Sequence, residues 1–200
     1  MPDLYMNIIK RKQRNRYMMR IITGSARGTK LMTLEGESTR PTSERVKESV
    51  FSMLQFDIEG RRVLDLFGGS GQLGLEALSR GAVQATIVDS NPEAVKIIKA
   101  NAQKTKLYDK CVILTKDYKS FLKGSKEKFD IIFLDPPYDS DMLADSLRII
   151  IEQDMLSYNG FIMLESDKDD IPEYGTLTLH RHSKQGRAYI TLLINENKKN

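Results

Sequence analysis

The chain has 200 residues, 40% of them hydrophobic and 29% charged, which is typical of a soluble globular protein with one domain and room for an appendage. No apolar run approaches the roughly 20 residues that span a bilayer, and no apolar segment follows the first basic residues as in a secretory signal, so we expect a cytoplasmic protein. A single cysteine and two histidines exclude an internal disulfide and form no recognisable metal-binding pattern, so we expect no metal.

The net charge of +4 is unevenly distributed along the chain. Residues 1–40 carry nine Lys or Arg and three acidic residues, a net charge of +6, which leaves −2 for the other 160 residues. Such a basic segment is either a solvated tail or an electrostatic handle for a polyanion. Residues 1–19 lack periodicity and are rich in Lys, Arg, Asn and Gln, so they are predicted to form a disordered basic extension.

Residues 20–58 predict an N-terminal appendage that consists of a β-hairpin and a helix. The strand-like runs 20–23 and 29–34 flank a short turn that contains two glycines. Thr42 or Ser43 can cap the helix that follows, in which apolar residues recur at helical spacing.

From residue 59 to residue 196, strand-like and helix-like patterns alternate, which favours a doubly wound α/β fold. A final pair of strand-like runs, 177–180 and 188–194, is separated by a polar stretch with a glycine and indicates an antiparallel pair. We therefore predict a seven-stranded, mostly parallel sheet. Its parallel strands are predicted at 63–67, 85–89, 111–115, 129–134 and 161–164.

A glycine-rich loop, Gly-Gly-Ser-Gly, begins at Gly68 between the first parallel strand and its helix. In an open α/β sheet the ligand crevice forms at the carboxyl ends of the strands, and glycines let a ligand approach the backbone closely. The spacing Gly69-x-Gly71-x-x-Gly74, with Asp89 at the end of the next strand, also matches the dinucleotide fingerprint. The loop therefore predicts a nucleoside ligand whose ribose hydroxyls bind Asp89, and it leaves a NAD(P)- or FAD-binding oxidoreductase open.

Further acidic positions bear on the choice of ligand. Asp65 precedes the loop by three residues, where it would repel a pyrophosphate but favour the sulfonium and α-ammonium groups of S-adenosylmethionine. Asp65 can alternatively cap N–H groups of the loop. Asp117 and Tyr118 follow the third strand, where an adenine ring would lie, and Asp117 can either accept from the adenine amine or cap the next helix. S-adenosylmethionine is the favoured cofactor.

The motif Asp135-Pro136-Pro137-Tyr138 follows the apolar fourth strand and would face the same crevice. Two prolines fix two φ angles and remove two N–H donors, so the segment is a stiff turn that presents a carboxylate and carbonyl acceptors. An exocyclic amino group of a nucleobase is a donor that such acceptors can hold, with its lone pair aimed at a methyl donor. Tyr138 offers a flat face for an extruded base. The motif therefore predicts amino-methylation of a nucleic-acid base.

With these motifs, Met19 to Ile194 resembles the RsmD family of 16S ribosomal RNA guanine-N2 methyltransferases. This family belongs to the wider group of enzymes that carry an (Asp/Asn/Ser)-Pro-Pro-aromatic motif. Of the resembling segments, 19–24 and 74–81 are specific to the family. All of the segments that carry the resemblance are 19–24, 40–42 with its helix, 64–71, 74–81 and 135–138.

The resemblance implies a class I, Rossmann-like methyltransferase that methylates the N2 amino group of a guanine in 16S rRNA, either naked or within the small-subunit particle. We expect it to act as a monomer, without metal or membrane. The guanine amine would be held by residues 135–138, and Arg20, Arg27 and Lys30 of the hairpin would contact the RNA backbone. A DNA adenine-N6 methyltransferase remains the nearest alternative, because it carries the same motif. The implied cofactor pocket consists of Arg40, Thr42, Asp65, Phe67, Gly68, Gly69, Ser70, Gly71, Asp89, Ser90, Asp117 and Tyr118.

Overall fold

The computed structural model describes residues 19–34, 44–137 and 141–197. The predicted extension over residues 1–18 lies outside the described residues, as do Arg40, Thr42 and Tyr138. Met19 was assigned to the extension from sequence, but it lies in a strand and pairs with Leu31. In the described part of the chain, no helix is both long enough and apolar enough to cross a membrane.

The described chain contains two β-sheets. The N-terminal strands β1 (Met19–Arg20) and β2 (Lys30–Leu31) form the predicted hairpin, although each is only two residues long. The strands of the larger sheet are β3 (Arg62–Asp65), β4 (Gln84–Asp89), β5 (Cys111–Thr115), β6 (Phe129–Leu134), β7 (Leu156–Ser166), β8 (Thr178–Gln185) and β9 (Ala188–Ile194).

The larger sheet has the strand order β5-β4-β3-β6-β7-β9-β8. Strands β3 to β7 are parallel to one another, whereas β9 is antiparallel to both β7 and β8. The predicted seven-stranded, mostly parallel sheet with an antiparallel closing pair is therefore confirmed. The chain reverses its winding direction between β3 and β6, and open sheets of this kind bind ligands at that switch point.

Helices cover both faces of this sheet. One hydrophobic cluster contains Val63, Ile131 and Phe133 together with residues of the hairpin and the first three helices, and the other contains Leu64 and Ile132 together with the last two helices. Successive residues of β3 and β6 alternate between the clusters, as the two-residue period of a strand requires. The helices are α1 (Glu44–Met53), α2 (Gln72–Ser79), α3 (Pro92–Lys104), α4 (Tyr118–Gly124) and α5 (Met142–Glu152).

The hairpin is fastened to α1 and α2 through the buried carboxylate of Glu76. This carboxylate accepts hydrogen bonds from the backbone N–H groups of Ile22 at 2.7 Å and Thr23 at 3.0 Å, and from Arg80 at 2.9 Å. The buried ammonium of Lys47 lies 3.6 Å from Glu76 and donates to the carbonyl of Arg20 at 2.6 Å. These polar contacts cross the predicted boundary between appendage and main domain, and one hydrophobic cluster, which contains Ile21, Leu31 and Ile131, crosses it as well.

Strand β7 is longer than the segment 161–164 predicted from sequence. The additional residues begin at Leu156, which pairs with Phe129, and the pairing then shifts register before Phe161 pairs with Ile131. Asn159 has a φ of 55°, and a Cβ on Gly160 would lie within 3.0 Å of two backbone carbonyl oxygens. Because this irregular stretch is polar and contains glycine, it carries no strand pattern in the sequence.

Candidate active site

A cavity of about 860 Å³ opens at the carboxyl ends of β3, β4, β5 and β6. Its volume is within the range of small-molecule sites, which runs from roughly 300 to 1,000 Å³. The cavity brings the glycine loop, the acidic strand ends and the proline segment onto one surface. It is lined by Met19, Thr33, Leu34, Asp65, Leu66, Phe67, Gly68, Gly69, Ser70, Gln72, Leu73, Asp89, Ser90, Asn91, Lys116, Asp117, Tyr118, Asp135, Pro136, Pro137 and Met142.

The glycine loop is held in place by Asp89. One carboxylate oxygen accepts from the N–H of Gly69 at 2.8 Å, and the other accepts from the N–H of Asn91 at 2.8 Å. Gly69 has a φ of 54°, and a Cβ built there would meet no atom within 4 Å, so its backbone is open to the cavity. Asp89 thus ties the loop to the start of α3 and retains lone pairs that can accept from hydroxyl groups of a ligand.

Asp65 is a buried carboxyl at the end of β3. It accepts a hydrogen bond at 2.9 Å from the N–H of Gly74, so the N–H group that it caps lies in the first turn of α2, just after the loop. A Cβ on Gly74 would lie 2.8 Å from Ile87, so only glycine lets α2 pack this closely on the sheet. Burial, and then the nearby charges of Asp135 and Asp89, raise the pKa of Asp65 to about 7 against the opposing effect of the Gly74 hydrogen bond.

Asp117 and Tyr118 form the wall of the cavity next to β5. Asp117 caps α4 by accepting from the N–H of Ser120 at 3.0 Å, and hydrogen bonds from Ser120 lower the pKa of Asp117. Tyr118 donates its hydroxyl to Asp145 at 2.9 Å, and its ring lies 5.6 Å from the ring of Phe67. The capping alternative for Asp117 is therefore present in the structure.

Asp135, Pro136 and Pro137 continue β6 into the cavity. Strand β6 is almost wholly buried, and its neighbours β3 and β7 are parallel to it on either side. Asp135 is half-buried, Pro136 is buried and Pro137 is exposed. The carboxylate of Asp135 lies close enough to Asp65 for their charges to interact. A stiff segment rich in acceptors thus faces the glycine loop, although Tyr138 of the motif lies outside the described residues.

The charges that line the cavity favour a cationic ligand. Four carboxyl groups lie on its surface, whereas Lys116 is the basic residue among the described lining residues. This negative potential would repel the pyrophosphate of a dinucleotide, whereas it would stabilise a sulfonium group and an ammonium group. The side chains of the cavity therefore fit S-adenosylmethionine better than NAD(P). Among the described residues no cluster of side chains could hold a metal ion.

Most residues predicted for the cofactor pocket line this cavity, but Gly71 does not. Gly71 instead precedes α2 as its N-cap, with a φ of 78° that shapes the turn. Sequence reasoning did not identify Gln72, Lys116 or Met142, which line the cavity. Gln72 directly follows the predicted loop, so its position in the sequence could have predicted that it lines the cavity. Met142 reaches the cavity only through the packing of α5, which the sequence does not reveal.

The three basic residues predicted to contact RNA are all exposed on the hairpin. They are Arg20, Arg27 and Lys30. The hairpin also supplies Met19 to the cavity wall, and Thr33 and Leu34 follow β2 onto the same wall. The open end of the hairpin therefore borders the cavity, whereas the turn that carries Arg27 lies against Ser79 at the far end of α2.

Comparisons with known proteins agree with this geometry. The Bacillus subtilis protein YlbH is 40% identical over 179 residues, which are 87% of this chain and 97% of that protein. The ribosomal RNA small subunit methyltransferase D of Haemophilus influenzae is 36% identical and aligns over 80% of this chain and 86% of its own length. A solved structure of the Escherichia coli protein yhhF matches with a TM-score of 0.80 and 31% identity, over 90% of this chain and 99% of that one.

A more distant RNA methyltransferase of Salinibacter ruber, solved in complex with S-adenosyl-L-homocysteine, shares the fold with a TM-score of 0.58 at 18% identity. The sheet order and the cavity at its switch point are those of a class I methyltransferase, whose cofactor is S-adenosylmethionine. The family model described as Conserved hypothetical protein 95 matches residues 19–194, and the chain belongs to this family, the RsmD family.

Proposed function

We propose that the protein transfers a methyl group from S-adenosylmethionine to the exocyclic N2 amino group of a specific guanine in the 16S RNA of the small ribosomal subunit. One observation carries the proposal: the Asp135-Pro136-Pro137 segment lies in the same cavity as the glycine loop and Asp89. The names of relatives, among them the ribosomal RNA small subunit methyltransferase D of Haemophilus influenzae, support an rRNA substrate. The choice of guanine N2 rests on the resemblance of the sequence motifs.

The proposed cofactor site follows the edge of the sheet from β5 to β6. Asp117 and Tyr118 flank the adenine, and Asp89 accepts from the ribose hydroxyls. The glycine loop and Asp65 face the amino-acid end and the sulfonium. Arg40 and Thr42 complete the rim in this proposal, on the basis of the family resemblance alone.

S-adenosylmethionine supplies an activated methyl group, whose bond to sulfur breaks as the bond to the acceptor nitrogen forms. Asp135 and a carbonyl of the proline segment each accept one N–H of the guanine amine. This arrangement directs the nitrogen lone pair towards the methyl group, so the main contribution to rate is positioning. The methylated nitrogen then releases one proton, to Asp135 or to water, and regains its neutral form. Tyr138 stacks on the extruded base in this proposal.

The substrate is tested by transfer of a tritiated methyl group from S-adenosylmethionine. Naked 16S rRNA and small-subunit particles are prepared from a strain that lacks the protein, and adenine-containing duplex DNA serves as the competing substrate. We expect label in RNA, released by digestion as N2-methylguanosine. Label in N6-methyladenine of DNA would replace the proposal with the adenine alternative. Binding of NAD(P) without binding of S-adenosylmethionine would contradict both.

The role of Asp135 is tested by the variant Asp135→Ala. We expect methyl transfer to fall by at least about 10²-fold, because the acceptor that orients the amine is lost, while S-adenosylhomocysteine still binds with an affinity close to that of the wild type. The matched control is Asp109→Ala, which removes an exposed aspartate of the short 3₁₀ turn 108–110. Full activity of Asp135→Ala, measured beside this control, would refute the proposed mechanism.

A further inference from the structure

Gln72 is the first residue of α2 and directly follows the glycine loop. Its side chain lines the cavity and is only 8% exposed. Among the described residues, its Oε1 atom is the buried side-chain oxygen or nitrogen that has no hydrogen-bond partner. Buried acceptors are rarely left unsatisfied in folded proteins, and at a cavity wall a donor on a bound ligand can satisfy such an acceptor.

The place of Gln72 in the fold determines which part of the cofactor it faces, given the proposed function. Asp117 follows β5, Asp89 ends β4, and the glycine loop follows β3. The adenine, the ribose and the amino-acid end of S-adenosylmethionine follow this order along the sheet edge. Gln72 follows the loop after β3 and is therefore next to the amino-acid end. The target amine lies on the other side, at Asp135.

Of the groups at the amino-acid end, only the α-ammonium donates hydrogen bonds, because the carboxylate is an acceptor alone. An amide oxygen accepting from an ammonium group makes a charge-assisted hydrogen bond, which is stronger than a neutral one. Asp65 lines the same cavity, and a cationic group bound beside it would favour the ionised form of its carboxyl. The acceptor left unsatisfied in the cavity wall and the donor of the ligand are thus complementary.

We propose that Gln72 is a specificity-determining residue for the cofactor, whose Oε1 atom accepts an N–H of the α-ammonium group. Gln72 thereby discriminates nucleosides that carry the amino-acid end from those that lack it. This inference rests on the proposed function, because it takes S-adenosylmethionine as the ligand. Nothing in the glycine fingerprint requires an amide at this position, so the contact is a property of this chain's own sequence.

The test uses calorimetry to measure the binding of two nucleosides whose sulfur is an uncharged thioether. S-adenosylhomocysteine has the amino-acid end, and 5′-methylthioadenosine lacks it. Gln72→Met keeps the length of the side chain but removes the acceptor. We expect it to weaken S-adenosylhomocysteine binding by roughly tenfold or more, since a hydrogen bond to a charged group is lost. Binding of 5′-methylthioadenosine should stay within about twofold of the wild type, by the same reasoning.

A second variant, Gln72→Glu, restores an acceptor with a negative charge and should bind S-adenosylhomocysteine at least as well as the wild type. Gln103→Met on α3 is the matched control, because Gln103 is exposed and does not line the cavity. The inference is overturned if Gln72→Met binds S-adenosylhomocysteine normally, if it loses both nucleosides equally, or if Gln72→Glu binds as weakly as Gln72→Met. Failure of the wild-type protein to bind either nucleoside would instead contradict the proposed function.

Discussion

The carboxyl group of Asp65 is subject to opposing influences in the folded protein. Burial and the neighbouring carboxylates disfavour its ionised form, whereas the N–H of Gly74 favours it, and the balance raises its pKa from 3.8 to about 7. A cationic ligand in the cavity would shift the balance back towards the ionised form. In the protein without cofactor, Asp65 therefore holds a proton over a pH range in which an ordinary aspartate has lost it.

This shift predicts a specific pH dependence of stability for the protein without cofactor. The Asp65 carboxyl of the unfolded chain titrates near 3.8, so between that pH and 7 the unfolded state binds fewer protons than the folded state. The contribution of Asp65 to the free energy of unfolding is complete below pH 3.8. It falls as the pH rises through this window, by at most about 1.4 kcal/mol per pH unit. Above pH 7 the loss is complete.

The variant Asp65→Asn tests this dependence, because it keeps an acceptor for Gly74 but cannot titrate. Both proteins are unfolded with urea at several pH values between about pH 4.5 and pH 8. As the pH rises, the free energy of unfolding of the variant should increase relative to that of the wild type. The increase per pH unit should not exceed the value for the binding of one proton. The difference should level off above pH 7. Parallel stability curves across this range would show that Asp65 ionises with an ordinary pKa.

The attachment of the hairpin to α2 depends on Glu76, whose buried side chain contacts both the hairpin and α1. Its carboxylate accepts from the hairpin backbone and balances the charge of the buried Lys47 on α1. Removing one partner of a buried ion pair leaves the other charge uncompensated. Glu76→Ala should therefore lower the free energy of unfolding by roughly 3–5 kcal/mol.

Thermal and urea unfolding of Glu76→Ala and Glu76→Gln separate the two contributions of this residue. The glutamine variant keeps an oxygen acceptor for the hairpin but loses the charge, so its loss should be smaller than that of the alanine variant. Glu93→Ala is the control, because Glu93 forms an exposed pair with Lys96 at 2.6 Å. That pair should contribute at most about 1 kcal/mol. An equal loss in Glu76→Ala and Glu93→Ala would contradict the role assigned to Glu76.

The elements that sequence patterns could predict are those whose signals are local. Strand β6 is apolar apart from Asp130, and the glycine loop with Asp89 twenty residues after Gly69 has a fixed spacing, so both were predicted. The motif Asp135-Pro136-Pro137 was placed at the same sheet edge because carboxyl ends of parallel strands meet there. The parallel arrangement of the strands was predicted from the alternation of strands and helices along the chain.

The cavity wall formed by the hairpin could not be predicted, because it depends on contacts between distant residues. Asn101 on α3 accepts from the N–H of Met32 at 2.8 Å, and donates to the carbonyls of Met32 at 3.0 Å and Ser70 at 2.8 Å. This one side chain fixes the segment after β2 against the glycine loop. A polar residue on a helix carries no pattern that reveals such a contact 69 positions away.

On the scale of the whole molecule, charge of opposite sign is separated between the hairpin and the cavity. The hairpin exposes Arg20, Arg27 and Lys30, whereas four carboxyl groups line the cavity beside it. A polyanion is attracted to the first surface and repelled by the second. An RNA bound at the mouth would therefore keep its phosphates on the hairpin, and only an uncharged base could enter the cavity with little electrostatic cost.

This separation predicts how RNA binding depends on salt. Phosphate contacts release counterions, so the slope of log K against log salt falls by roughly 0.7 to 0.9 for each contact that is lost. Replacing Arg20, Arg27 and Lys30 together with glutamine should weaken RNA binding and reduce the slope by roughly two to three. Affinity for S-adenosylhomocysteine should stay the same, because none of the three residues lines the cavity.

The control replaces three exposed lysines outside the hairpin, Lys106, Lys123 and Lys126, with glutamine. It removes the same net charge from the protein, so it reports the effect of overall charge without loss of the proposed phosphate contacts. If the hairpin is the RNA-binding element, the salt slope of this control should stay close to that of the wild type. Equal slopes for the two triple variants would mean that RNA responds to the net charge of the molecule and that the hairpin has no special part in binding it.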